Sequence, residues 1–190
     1  MLLERILPYT KTLLRQAVTE GDIVIDATVG NGNDTLFLTE LVGNTGHVYG
    51  FDIQSEAIEN TTKLLTENNV SARVTLFQES HDRFPNLLSN DHLLKVKAAI
   101  FNLGYLPKGD KSIVTKPDTT IRAVQQLLEY MPTGGLIILV VYHGHEGGKT
   151  EKDALLDYLK TIEQKRANVL QYQFINQVND PPFIVALEKK

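Results

Sequence analysis

Ile23-Val24-Ile25-Asp26-Ala27-Thr28-Val29-Gly30-Asn31-Gly32-Asn33-Asp34-Thr35-Leu36 is the stretch whose reading decides the fold. It opens as a short apolar run rich in β-branched residues, the pattern of a strand buried on both faces of a parallel sheet. The run ends in Asp26 and enters a Gly-x-Gly turn. A helical pattern follows at once, with Leu36, Phe37, Leu38, Leu41 and Val42 on its apolar side. Strand, glycine turn and helix in that order bring backbone close to a ligand, because glycine has no Cβ to stand in the way.

A dinucleotide site would carry G-x-G-x-x-G, its third glycine packing the helix and the helix N-terminus facing a pyrophosphate. Here the pair is Gly30-Asn31-Gly32, and Thr35 stands where the third glycine would be. Asp26, Thr28, Asn31, Asn33, Asp34 and Thr35 crowd the turn with polar groups. Acids suit a cationic ligand and repel phosphate. The turn resembles the first motif of the class I S-adenosylmethionine-dependent methyltransferases, whose ligand carries an ammonium and a sulfonium and no phosphate. The cofactor-binding residues expected in it are Asp26, Thr28, Gly30, Asn31, Gly32, Asn33 and Thr35.

A second strand, His47-Val48-Tyr49-Gly50-Phe51, runs into Asp52, 20 positions beyond Gly32, where a ribose-binding carboxylate is expected. Two acceptor oxygens can take both ribose hydroxyls, with Ile53 and Gln54 beside them.

Composition sets the frame. The 190 residues fit one domain spanning 1–190, large enough to bury roughly 70% of the surface of its unfolded chain. Apolar content of 42% and charged content of 22% are those of a globular protein. No apolar run approaches the ~18 residues that span a bilayer, and no basic segment precedes an apolar one at the start, so no membrane association and a cytoplasmic location are expected. There is no cysteine. That excludes disulfides, thiolate zinc sites and iron–sulfur clusters, and with them radical S-adenosylmethionine chemistry. It also excludes methylation of pyrimidine C5 by the usual route, which needs a cysteine nucleophile, and leaves nitrogen and oxygen acceptors open. A net charge of -4 argues against a broadly basic nucleic-acid surface but allows a local basic patch.

Residues 2–19 show a helical period that Pro8 is expected to break, one or two helices covering the sheet. Ser55 is expected to cap a helix with Ala57, Ile58, Thr61, Leu64 and Leu65 inward. Arg73 to Gln78 is a third strand, and Ser80 and His81 after it are candidates to face an adenine in a fold of this kind. Lys97 to Leu103 is a fourth strand. Pro117 starts a helix. Leu136 to Tyr142, the most apolar strand, is expected at the centre of the sheet. Thr150 and Asp153 read as a capping box, and strands at 168–175 and 183–188 close the chain. The order is an α/β alternation giving a seven-stranded, mostly parallel sheet with helices on both faces and an antiparallel last strand. Class I methyltransferases have this Rossmann-like arrangement.

Two loops carry the expected chemistry. Asn102-Leu103-Gly104-Tyr105-Leu106-Pro107 resembles the Asn-Pro-Pro-Tyr motif of amino-methylating enzymes, with Leu103-Gly104 in place of the prolines. The resemblance implies that Asn102 accepts a hydrogen bond from the amine beside the cofactor and that Tyr105 stacks on the substrate. A methyltransferase must place a lone pair in line with the S–CH3 bond, ~3 Å away, and exclude water. Tyr142-His143-Gly144-His145-Glu146-Gly147-Gly148-Lys149 follows the fifth strand. His143 or His145 is a candidate proton acceptor or phosphate contact; with no third ligand nearby, a metal site is not expected. Pro107, Tyr142 and the basic Lys108, Lys111, Lys116, Arg122 and Lys149 are candidate substrate contacts, the cations toward phosphate.

Residues 23–35, Gly-Tyr-Leu-Pro-Lys-Gly-Asp-Lys at 104–111, Tyr-His-Gly-His-Glu-Gly-Gly at 142–148 and Pro-Pro-Phe at 181–183 resemble the bacterial tRNA 5-(aminomethyl)-2-thiouridine methyltransferases, a family formerly labelled rRNA methylases. The resemblance implies S-adenosylmethionine as cofactor, N-methylation of an exocyclic aminomethyl group on the wobble uridine of a tRNA anticodon stem-loop, and a homodimer. Rival readings are N- or O-methylation of an rRNA base or small amine, an NAD-dependent oxidoreductase, and a non-catalytic RNA-binding module on the same fold.

Overall fold

The computed structural model describes residues 2–104, 116–144 and 148–190. The chain runs α1 (Ile6–Ala17), β1 (Ile23–Asp26), α2 (Asn33–Val42), β2 (His47–Phe51), α3 (Ser55–Glu67), β3 (Val74–Phe77), α4 (Asn90–Leu93), β4 (Val96–Leu103), α5 (Pro117–Tyr130), β5 (Leu136–Val141), α6 (Gly148–Lys160), β6 (Ala167–Tyr172) and β7 (Phe183–Lys189). One sheet has the strand order β3-β2-β1-β4-β5-β7-β6. β1 to β5 pair in parallel, while β7 lies antiparallel between β5 and β6. β4, not β5, is the middle strand. β5 is nonetheless buried along its whole length, because helices cover both of its faces.

Side chains along a strand alternate between faces, and the core divides accordingly. Ile137, Leu139 and Val141 of β5 face one core with Val124, Leu127 and Leu128 of α5 and Leu155 and Leu159 of α6. Leu136, Ile138 and Val140 face the other, with Ile6 and Leu14 of α1 and Phe37, Leu38 and Val42 of α2.

Three local expectations need correction. Pro8 does not break α1: it is the third residue of an unbroken helix, within the first turn, where backbone N–H groups have no intrahelical partner to lose. Ser55 is the first helical residue of α3, and the cap position belongs to Gln54, with no side-chain cap. Thr150 is no cap either, since α6 already begins at Gly148.

α1 is tied to the sheet at its N-terminal end. The Tyr172 hydroxyl on β6 donates to the Glu4 carbonyl at 2.7 Å, and the Tyr9 and Tyr172 rings lie 4.2 Å apart. Leu7, Pro8, Lys11 and Arg15 of the helix share a cavity wall with the loops at the carboxyl ends of the strands. Those ends matter because the strand order reverses between β1 and β4, and a parallel sheet opens a crevice at such a reversal.

Candidate active site

The crevice is a cavity of about 1410 Å³. Its walls come from the loops after five strands: Ala27 to Asn31, Asn33 and Asp34 after β1, Asp52 to Gln54 after β2, Glu79 to His81 after β3, Asn102 and Gly104 at the end of β4, and Tyr142 to Gly144 after β5.

Asp52 anchors it. Its Oδ2 accepts from the Gly30 N–H at 2.9 Å and its Oδ1 from the Gln54 N–H at 3.0 Å. Each oxygen thus spends one lone pair on backbone and keeps another, the arrangement needed to receive two vicinal hydroxyls. Gly30, at φ +53°, lines the cavity. Gly32 does not: it is buried at φ +79°, where a Cβ would come within 2.7 Å of the Thr61 hydroxyl on α3. The second glycine is required by helix packing and not by close approach of a ligand.

Asp26 and Thr35 also stand apart from the cavity. Asp26 is fully buried, its Oδ2 accepting from Thr35 Oγ1 at 2.6 Å and its Oδ1 from the Thr28 N–H at 3.2 Å. Burial, reinforced by the negative charge of Asp34, pushes the Asp26 carboxyl up to about 7 against the pull of those two hydrogen bonds. Asp26, Gly32 and Thr35 therefore brace the turn from behind. Thr28 stays in the wall, and its Oγ1 accepts from the Asn102 N–H at 2.6 Å, fastening the β1 loop to β4.

Asn102 Nδ2 donates to Asp34 Oδ2 at 2.8 Å. A carboxylate only accepts, so the amide end facing Asp34 is the NH2 and Oδ1 is the free end. Asp34 is thus a site residue that sequence spacing did not single out. Its signal was its place in the first turn of α2, directly after the glycines.

His81 is buried with Nδ1 3.1 Å from the Ala27 carbonyl. That contact puts the proton on Nδ1 and leaves Nε2 an acceptor, buried and without a partner. Burial lowers its pKa, so the ring is neutral at pH 7. Ser80 beside it donates to Asp82 Oδ1 at 2.5 Å. His143 is 7% exposed, with both ring nitrogens unpartnered; Nδ1 lies 4.0 Å from Asp180 Oδ1 and the ring packs 5.6 Å from that of Phe183. Tyr142 lies across Gly104, and burial, helped by Asp34, raises its pKa.

The basic candidates separate. Lys116 lines the cavity. Arg122 does not: its Nη1 pairs with the buried Asp82 at 2.6 Å. Lys149 lies outside the wall, 3.5 Å from Asp180. Tyr105, Pro107, Lys108, Lys111 and His145 fall outside the described residues. Wall residues that the sequence reading overlooked include Glu79, Asp180 and, from α1, Lys11 and Arg15.

The donor set fits S-adenosylmethionine. Asp52 offers two free acceptor sites for a ribose, the bare Nε2 of His81 lacks a donor, and Asp34, Asp52, Glu79 and Asp180 give the interior an acidic lining for a sulfonium and an ammonium.

Two outcomes follow from this geometry. Asp52→Ala is expected to weaken S-adenosylmethionine binding by on the order of 1–3 kcal/mol, through lost hydrogen bonds to a buried ribose; unchanged affinity by calorimetry would reject the assignment. For Asp26, the folded protein holds its proton more tightly than the unfolded chain, whose carboxyl titrates near 3.8. Its contribution to stability is therefore greatest below about 3.8 and declines as pH rises toward 7. Asp26→Asn has no such proton to lose, so its melting temperature should gain on the wild type as pH rises through that window. Parallel pH profiles for the two proteins would contradict the account.

Known proteins resemble this chain in sequence and in fold. Residues 48–188 match the family model described as "Putative rRNA methylase". A Clostridium thermocellum protein whose crystal structure is described in the same words is 47% identical, covers 99% of both chains and superposes with a TM-score of 0.95. A "putative methyltransferase" from Streptococcus mutans, solved in complex with SAH, is 38% identical over 99% of both chains with a TM-score of 0.89. The tRNA (mnm(5)s(2)U34)-methyltransferase of Arabidopsis thaliana chloroplasts is 37% identical over 92% of this chain, which spans 66% of that relative's length. S-adenosylmethionine is accordingly the cofactor, and the NAD-dependent reading is set aside. The chain is an S-adenosylmethionine-dependent methyltransferase and belongs to the rRNA_methylase family.

Proposed function

We propose that this enzyme methylates the exocyclic amine of 5-aminomethyl-2-thiouridine at the wobble position of tRNA, giving 5-methylaminomethyl-2-thiouridine. The observation that carries this reading is the Asn102–Asp34 pair in the cavity wall. It presents an amide oxygen, backed by a carboxylate, to whatever donor enters, and a primary amine is the acceptor that such a pair suits. The name of the Arabidopsis relative supports the same substrate. The lack of cysteine leaves no route through pyrimidine carbon.

S-adenosylmethionine supplies an already activated methyl group. The protein's work is positioning and proton handling. Asp52 takes the ribose hydroxyls, Ser80 and His81 meet the adenine, and Gly30, Asn31 and Asn33 border the methionine end. Asn102 Oδ1 accepts one N–H of the amine and turns its lone pair toward the methyl. Tyr142 supplies an aromatic face for the uridine. An alkylamine is mostly protonated at neutral pH and must shed a proton before it can attack. His143, buried with unpartnered nitrogens near the Asp180 carboxylate, is the acceptor at hand.

Asn102→Ala should leave cofactor affinity intact and lower turnover about 10²-fold, in line with loss of one preorganised polar contact; unaltered turnover removes Asn102 from the mechanism. The function itself is tested by incubating the protein and S-adenosylmethionine with tRNA bearing the unmethylated amine, then analysing nucleosides by mass spectrometry. A wobble nucleoside heavier by one methyl is expected. Methylation only of ribosomal RNA or a free amine refutes the wobble assignment.

A further inference from the structure

We propose that Lys11 and Arg15 of α1 form a phosphate-binding site on the α1 side of the cavity, taking the RNA backbone beside the nucleotide whose base enters it. The inference rests on the reading of RNA as the methyl acceptor and adds the element that receives it.

Lys11 and Arg15 are one helical turn apart and share a face. Lys11 Nζ stands 4.8 Å and the Arg15 guanidinium carbon 4.9 Å from the centre of the Phe37 ring. One aromatic ring thus has two cations within 4.9 Å of its centre. Like charges at this spacing repel, and a π face attracts cations without neutralising them. Neither forms an ion pair among the described residues. Glu4, the acid on the same wall, accepts from Thr12 Oγ1 at 2.9 Å instead. Two adjacent cations without a counter-charge, in a protein of net charge -4, are a site for an anion.

Size and surroundings identify the anion. At about 1410 Å³ the cavity exceeds the roughly 300–1,000 Å³ of one small-ligand site, so a second occupant has room beside the cofactor. The half next to the strand ends is acidic. The α1 side carries Lys11, Arg15, Leu7 and Pro8, cations next to exposed apolar surface. A nucleotide matches that division: its cationic aminomethyl group belongs inside and its phosphate on the rim. Arg15 adds a planar fork of donors that fits phosphate oxygens. Because Tyr172 pins α1 to the sheet, the pair is held in place before any RNA arrives.

The test compares wild type with the Lys11→Ala/Arg15→Ala double variant, using a fluorescently labelled, unmodified anticodon stem-loop in an anisotropy titration across a salt series. The variant should bind at least about tenfold more weakly, and the slope of log K against log salt should fall by about two. Calorimetric affinity for S-adenosylmethionine should be unchanged, which also certifies the fold. Equal RNA affinity and slope in the two proteins overturns the proposal. So does an equal loss of cofactor affinity, which would assign the cations to the methionine carboxylate, and so does a wild type that does not bind the stem-loop. The wobble reading fails separately: a wild type that binds RNA through this pair yet leaves the amine unmethylated keeps the phosphate site and loses the substrate.

Discussion

Everything in the cavity depends on one carboxylate held by two backbone N–H groups. Asp52 joins the Gly30 turn to the start of α3, so the loops after β1 and β2 cannot move independently. The Thr28 hydroxyl, accepting from the Asn102 N–H, ties the same loop to β4. Behind it Asp26 fastens Thr28 and Thr35. Three strand ends are thereby locked into one rim before a ligand binds, which limits the ordering cost of binding.

Charge is distributed to match. Acidic groups line the interior although acids close together repel one another, and Asp26 answers that repulsion, on top of its burial, by holding its proton up to about 7. A sulfonium and an ammonium relieve the repulsion; a pyrophosphate adds to it. Cations stand at the α1 side. The proposed substrate, positive at its reactive group and negative along its backbone, matches that division.

Much of this was legible in the sequence because the signals are local. Short β-branched runs named the strands, and the closing hairpin named the antiparallel β7. The interval from Gly32 to Asp52 picked out a carboxylate that does line the cavity. What local pattern cannot carry is direction and long-range pairing. Asp26 and Thr35 looked like ligand groups because they are polar and near glycines, yet they face inward. Arg122 looked free because its partner Asp82 lies forty residues away in the chain. Lys11 and Arg15 were read as part of a covering helix, since only the fold brings α1 to the carboxyl ends of the strands.

The central claim is that Asp52 and the glycine turn form a seat for a sulfonium nucleoside. A crystal structure of this protein with S-adenosylhomocysteine tests it most directly. The account predicts both ribose hydroxyls on the Asp52 carboxylate, with the adenine against Ser80 and His81. A ribose placed elsewhere, with Asp52 left to its backbone partners alone, would contradict it.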